Sequence, residues 1–320
     1  MSDGMKENSS QVSVVIPTYK GSEFIEDALR SVFVQTRPPE EIIVVDDCSP
    51  DDTISITESL ASESNIPLRV VRMPRNSGGP SHPMNVGIES AKGDVIVLLE
   101  QDDLMRPQRI AKQLKALMEY PQCSLVTGGL SVKGKEDGDL SLLWPGGQFS
   151  DLEGSISRDA EFSLVESSIV FPALLNRNFG TNSSFCFTKT WYKRIGGFNE
   201  SIKTCADLDF ILRAVELGPI LIVNEIIFEY RWRGDSLHRQ SADESTLEAT
   251  MVRLRASSKN PDWAGDHLHE LRYSAMVLAA TKLKSINLSA LKVVAEVFAQ
   301  HDGFSLITRS LVNRWPSSKR

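Results

Sequence analysis

The sequence predicts an α/β protein: a mostly parallel sheet flanked by helices, followed by a C-terminal helical extension. Three observations predict it. Short apolar runs, Val12 to Ile16, Glu41 to Val45 and Val95 to Leu99 among them, alternate with stretches of helical period. Two of these runs stop abruptly in carboxylates, Asp46-Asp47 and Glu100-x-Asp102-Asp103. Past about Ser236 only helical periodicity continues. Strand–helix–strand alternation implies parallel pairing through right-handed crossovers. Open sheets of this kind place their ligands at the carboxyl ends of the strands.

The elements follow in order. Met1 to Gln11 is polar and reads as a disordered leader with no apolar signal-peptide core. Val12 to Ile16 is the first strand, broken at Pro17, and Ser22 is the expected N-cap of a helix carrying Ile25, Ala28, Leu29 and Val32. Glu41 to Val45 runs into the acids, and Thr53 to Ala61 is helical. Leu68 to Met73 is a third strand, and Pro83 suits the first turn of a helix ending near Ala91. Val95 to Leu99 is apolar throughout, as in a strand buried on both faces. Pro107 opens a helix, and Ser124 to Thr127 is a strand. Ser131 to Arg177 reads as loop. Asn182 to Phe187 is a weak strand, Lys189 to Ile195 and Asp207 to Leu217 are helices, and Ile220 to Val223 and Ile226 to Tyr230 are two short strands. Thr246 to Arg255, Asp266 to Lys284, Ser289 to Gln300 and Phe304 to Arg314 read as amphipathic helices. The expected division is a domain over 12–240 and a helical region over 241–320.

Composition narrows the classes. A net charge of −7 gives no case for a nucleic-acid partner. The four cysteines lie far apart, without metal-ligand spacing, as reduced thiols do. No apolar run is long enough to span a membrane, so a cytoplasmic location is expected. There is no GxGxxG after the first strand and no GxxxxGK[ST], which removes the main support for dinucleotide and P-loop sites.

Three carboxylates at the end of a buried strand are costly unless a cation meets them. A divalent metal among them points to a phosphate ligand; a turn with helix-capping acids before Pro107 is the alternative. The run Asn76, Gly78, Gly79, Ser81, Asn85 offers backbone N–H donors to a ligand or, alternatively, a loop with a helix cap.

Five blocks in this order resemble a known family: VSVVIPTYKGSEFIEDALRSVFVQT, EIIVVDDCSPDDT, NSGGP…NVG, KGDVIVLLEQDDLMRP and IGGFNE…ADLDFILRAVELG. Together they are similar to family 2 glycosyltransferases of the GT-A (Rossmann-like) fold, over about Val12 to Ser236. The resemblance implies an inverting transfer from a nucleotide diphosphate sugar, UDP-sugars favoured, to a hydroxyl of a saccharide or lipid-linked acceptor, in surface polysaccharide or glycoconjugate synthesis. It implies a divalent metal, Mn²⁺ or Mg²⁺, on Asp102 with Asp103 beside it, and a sugar or metal contact from Glu100, which stands where Asp is common. It places Asp47, with Asp46 supporting it, on the base, flanked by Pro17, Thr18 and Tyr19. Asn76, Gly79 and Asn85 fall on the donor side, where Met84 replaces a frequent Arg. Asp207 matches the general base, with Ala206 in place of the usual Glu; an N-cap role is its alternative. Arg231 and Arg233, and more weakly His238, match a closing segment over the diphosphate.

Trp144, Trp191 and Trp232 offer faces to sugar rings or, alternatively, fill the core. Thr308 to Arg320 holds four basic residues and no acid, as a peripheral membrane contact or a solvated helix end would. Exposed apolar faces on the tail helices would allow a homo-oligomer. Two rival functions remain: a non-catalytic relative that binds a nucleotide sugar or a partner, and a nucleotidyltransferase.

Overall fold

The computed structural model describes residues 10–133, 157–158, 161–232 and 242–271, except 266 and 269. The chain divides into two compact units, one ending at Ser245 and the other beginning at Thr246.

In the first unit, the N-terminal half is a parallel sheet. Strands β1 (Val12–Thr18), β2 (Glu41–Asp46), β3 (Leu68–Arg72) and β4 (Val95–Leu98) lie in the order β3-β2-β1-β4. All their pairings are parallel, and β1, β2 and β4 are buried along their whole length. The helices between them are α1 (Ile25–Phe33), α2 (Thr53–Glu63) and α3 (Ser81–Ser90). Strand β1 does not break at Pro17. Its pairing with β4 stops at Val15↔Leu98 while its pairing with β2 runs on to Thr18↔Asp46. The missing proline N–H therefore falls where β1 has become an edge. Helix α1 begins two residues later than an N-cap at Ser22 suggests, because the Gly21 carbonyl accepts from Phe24 and Ile25 in a turn and the Ser22 N–H bonds Asp51. The expected leader also ends early: Gln11 already accepts from the Val95 N–H.

The rest of the unit mixes directions. After β5 (Leu104–Met105) and α4 (Arg109–Glu119) come β6 (Leu125–Lys133), β7 (Ser157–Arg158) and β8 (Phe162–Val165). Helix α5 (Ser167–Asn176), a 3₁₀ turn at Asn182–Ser184, β9 (Cys186–Thr188), α6 (Lys189–Ile195), α7 (Ala206–Val215) and β10 (Ile220–Arg231) complete it. Strand β9 is antiparallel to both β4 and β6 and joins the two halves of the sheet. The stretch expected to be loop thus contains β8 and α5; Pro172 inside α5 obscures the spacing of Val170, Phe171, Leu174 and Leu175, which is helical and buried. The two strands expected near residues 220 and 226 are one. β6 follows β10 throughout, while the other edge of β10 changes from β8 to β5 at an irregularity around Asn224.

Helix α8 (Ala242–Lys259) begins before the boundary between the two units, and its part from Thr246 on buries Leu247, Met251 and Leu254 at helical spacing. The helices expected over 289–300 and 304–314, and nearly all of the one over 266–284, lie outside the described residues. No described helix is long and apolar enough to cross a membrane.

Candidate active site

Strands β1, β2 and β4 deliver their carboxyl ends to one edge, and β2 and β4 arrive there with the acids. On β2, Asp46 is 1% exposed and accepts from the Ser49 N–H (3.0 Å). Asp47 is 3% exposed, and burial pushes its carboxyl up despite the Ser77 bonds. That carboxylate accepts from the Ser77 N–H (2.9 Å), the Ser77 hydroxyl (2.9 Å) and the Asn76 amide (3.0 Å). Asp47 thus clips the loop 75–80 to the end of β2.

The side chains of the expected donor-side residues Asn76 and Asn85 are likewise bonded within the protein. Asn76 spends its amide on Asp47 and accepts from the Gly78 N–H (2.9 Å). A Cβ on Gly79 would lie 3.2 Å from the Lys203 carbonyl, and Lys203 Nζ donates to the Ser77 carbonyl (2.8 Å). Asn85 accepts from the Tyr192 hydroxyl and the Phe198 N–H, and donates to the Phe198 carbonyl and Glu200. These two bonds in each direction use both ends of the amide. The Asn76 side chain therefore shapes the loop, and the Asn85 side chain pins segment 198–203 against α3. Met84 is core.

The β4 end carries the acidic group. The Glu100 N–H donates to Ser183 Oγ (2.9 Å), and its carboxylate accepts from the Asn182 amide (3.2 Å). Asp103 is 0% exposed; its Oδ1 accepts from the Arg231 N–H (3.0 Å), and its Oδ2 is buried with no hydrogen-bond partner. Burial, then the charges of Asp103, Asp102 and Asp207, hold the Glu100 carboxyl well above its ordinary range. Burial and the neighbouring Asp102 push Asp103 up to about 7. Asp102, Asp103 and Asp207 therefore all act on Glu100, and Asp102 acts on Asp103 as well. Asp207, in the first turn of α7, accepts from the Leu208 N–H through Oδ1 (2.7 Å); helix N-termini favour carboxylates.

Behind the acids sits a cation that sequence reasoning passes over. Arg109 is wholly buried and donates to the Leu98 carbonyl (2.8 Å) and to Gln113 (3.0 Å). Burial lowers its guanidinium to about 9, still a cation at neutral pH. Gln113 in turn donates to the Ser184 carbonyl (2.8 Å). One turn of α4 thereby fixes both the end of β4 and the Asn182–Ser184 turn that meets Glu100. Gln101 and Lys203 are also missing from the expected set. The sole sequence signal for Arg109 is a charged residue at a position of α4's buried face, beside Ile110 and in register with Gln113.

Other expectations change. The Arg231 guanidinium turns to Asp27 (2.8 Å) and lies over the Phe24 ring, so its backbone, holding Asp103, serves the site. Trp191 is buried in α6 beneath Arg194, as the core alternative has it. Pro17 and Thr18 are buried at the end of β1, and Tyr19 is 39% exposed beside them. Arg233, His238, Trp144 and the basic tail lie outside the described residues.

Among the described residues no group of three or more His, Cys, Asp or Glu side chains is placed to hold a metal ion by itself. A hard cation held by one or two carboxylates and by substrate phosphates needs no such group. The raised carboxyls and the unpartnered Asp103 Oδ2 fit a cation arriving in that way. Asp103 faces inward, and Asp102 keeps partly exposed surface.

Comparisons with known proteins bear on the family and the fold. The profile of glycosyl transferase family 2 matches residues 13–192. An uncharacterized glycosyltransferase of Rickettsia typhi is 26% identical over 71% of this chain and 66% of its own length. The poly(ribitol-phosphate) beta-N-acetylglucosaminyltransferase TarS of Staphylococcus aureus is 32% identical over 38% of this chain and 22% of TarS. A putative teichuronic acid biosynthesis glycosyltransferase of Bacillus subtilis, TuaG, is 34% identical over 39% of this chain and 48% of TuaG. The chain thus spans less than two thirds of each of these relatives. The crystal structure of S. aureus TarS 1–349 with UDP-GlcNAc superposes with a TM-score of 0.63 at 20% identity, over 90% of this chain and 79% of that one. That likeness is one of fold.

Proposed function

Since the chain belongs to glycosyl transferase family 2, we propose that it is an inverting transferase that moves a sugar from a UDP-sugar to a hydroxyl of a saccharide or lipid-linked acceptor. The observation that carries this reading is the meeting of two acidic strand ends at one sheet edge, with Asp207 in electrostatic reach of Glu100. UDP is favoured because a neighbour of the same fold was solved with UDP-GlcNAc. A role in surface polysaccharide synthesis rests on the names of TarS and TuaG.

The residues divide the work. Tyr19 and the ends of β1 and β2 receive the nucleoside. Asp47 and the loop it clips form the wall beside it. Asp102 would hold a divalent ion together with the diphosphate. Such an ion, when bound, neutralises the charge that develops on the leaving diphosphate. Asp207 takes the proton of the acceptor hydroxyl as that oxygen bonds the anomeric carbon and the bond to the diphosphate breaks on the opposite face. Inversion follows from a single displacement. Asp103 and Arg109 stand behind Asp102 and hold the strand end in place.

Calorimetric titration of UDP, GDP and CDP, with and without Mn²⁺, on the wild type and Asp102→Ala tests the donor site. Tight UDP binding that needs both Mn²⁺ and Asp102 supports it. UDP binding indifferent to Mn²⁺ removes Asp102 from its role, and no nucleotide binding at all refutes the transferase reading.

A further inference from the structure

Past Val15, strand β1 loses its neighbour on the β4 side. The ladder with β4 ends at Val15↔Leu98, and the Leu99 N–H gives a last bond across to the Val15 carbonyl (3.1 Å). β1 nevertheless runs on toward its exposed end at Tyr19. There the β2 side still holds it, through the Asp47 N–H that donates to the Thr18 carbonyl (2.8 Å).

On the β4 side a side chain stands in for the missing strand. Gln101 lies among the acids, yet its amide turns away from them to β1. Its Oε1 accepts from the Tyr19 N–H (2.9 Å) and the Thr18 hydroxyl (2.5 Å), and its Nε2 donates to the Tyr19 carbonyl (3.0 Å). Tyr19 thus exchanges both of its backbone groups with one amide, as paired residues of two strands do. These contacts also fix which end of the amide is oxygen.

The turn that follows needs such support. Lys20 has φ 51°, in a region that costs energy for any residue with a side chain, and such a conformation persists only where its surroundings over-determine it. The Lys20 N–H donates to Ser49 Oγ (3.0 Å) and the Gly21 N–H to Thr53 Oγ1 (2.8 Å), both anchors that follow β2 in the chain. Gln101 is the anchor from the β4 side.

We infer that Gln101 is a positioning residue for the nucleoside: it holds Tyr19 and the turn after it in the binding arrangement before the donor arrives. The inference rests on the donor site proposed above. A segment ordered only on binding weakens affinity by the fraction of time it is competent, so a turn in place for a tenth of the time binds about tenfold more weakly. The loss falls on the nucleoside end and is therefore the same with or without phosphate and cation.

Two titrations test this: UDP with Mn²⁺ by calorimetry, and uridine in EDTA by ligand-observed NMR. The proteins are the wild type, Gln101→Ala, Gln101→Met, Gly21→Ala and the double variant of Gln101→Ala with Gly21→Ala, each shown by circular dichroism to be folded at the assay temperature. Gln101→Ala and Gln101→Met, which keeps the length without the bonds, should each weaken both ligands by about tenfold. Amide hydrogen exchange without ligand should quicken over residues 18–21 in both. A Cβ on Gly21 would overlap Gln101 Oε1 and stand 2.7 Å from Thr18 Oγ1. Gly21→Ala should therefore weaken both ligands in the wild-type background and do so less when Gln101 is already alanine, because it acts through the amide. Unchanged uridine affinity in Gln101→Ala overturns the inference and leaves the donor site standing. A loss confined to UDP with Mn²⁺ also overturns it, since the effect then passes through Asp102. A wild type that binds no UDP refutes the donor site itself.

Discussion

Arg109 Nη2 donates to the carbonyl of Leu98 at 2.8 Å, so a wholly buried cation holds the last residue of the strand that delivers the acidic group. Arg109→Met should lower unfolding free energy by about 1–3 kcal/mol, because the Leu98 carbonyl and Gln113 lose their buried donor. Urea denaturation would measure it. Arg109→Lys keeps the charge without the fork and should fall between the two. A variant as stable as the wild type would mean that water replaces the guanidinium at no cost.

Stability should depend on pH in a direction set by the acids. Glu100, Asp103 and Asp47 are all raised in the folded state, chiefly by burial. The folded chain therefore binds more protons than the unfolded one between the folded values and the ordinary value near 4. Stability should rise as pH falls from 8 toward 6. Glu41 works oppositely. Burial raises it, but bonds from Lys92 and Ser13 outweigh this and leave it lowered, so its contribution is lost as pH falls through that lowered value. A melting curve series should show a maximum at mildly acidic pH. Glu100→Gln should raise the midpoint at pH 8 by about 2–4 °C and flatten the dependence on pH.

The strand ends are legible in the sequence because burial on both faces leaves no polar position until the chain reaches the edge, as in Val95–Leu98. Asp46, Asp47, Glu100 and Asp102 are found by that signal alone. Side-chain direction is not legible: nothing in the pattern tells that Asn76 and Asn85 turn inward, that Arg231 turns to Asp27, or that Gln101 reaches β1. Those are long-range choices made by partners far away in the chain. The pattern splits strand β10 at Asn224-Glu225 because a change of neighbour, from β8 to β5, puts polar residues within a continuous strand.

Close packing of α3 on the sheet makes a second stability prediction. A Cβ on Gly87 would lie 2.4 Å from Val15 Cγ1 and 3.0 Å from Val45 Cγ2, both on buried β-branched residues with little freedom to turn. Gly87→Ala should destabilise by about 1–3 kcal/mol through overpacking, even though alanine favours the helix. Adding Val15→Ala should recover part of the loss, so that the double variant is better than additivity predicts.

The last prediction separates catalysis from helix capping at Asp207. Its Oδ1 accepts from the Leu208 N–H at 2.7 Å, and an asparagine at this position keeps an oxygen there and nearly the same shape. Asp207→Asn should therefore melt like the wild type and bind UDP with unchanged affinity. It cannot take a proton from an acceptor hydroxyl, and kcat should fall by about 10²–10⁴-fold. Asp207→Ala should lose the helix-end bond as well and be less stable than either. If Asp207→Asn keeps near-wild-type kcat while Asp207→Ala loses both stability and activity, the residue is an element of the helix end alone and the base must be sought among the acids of β4. If Asp207→Asn loses kcat with its melting point and its UDP affinity intact, the proton passes through this carboxylate.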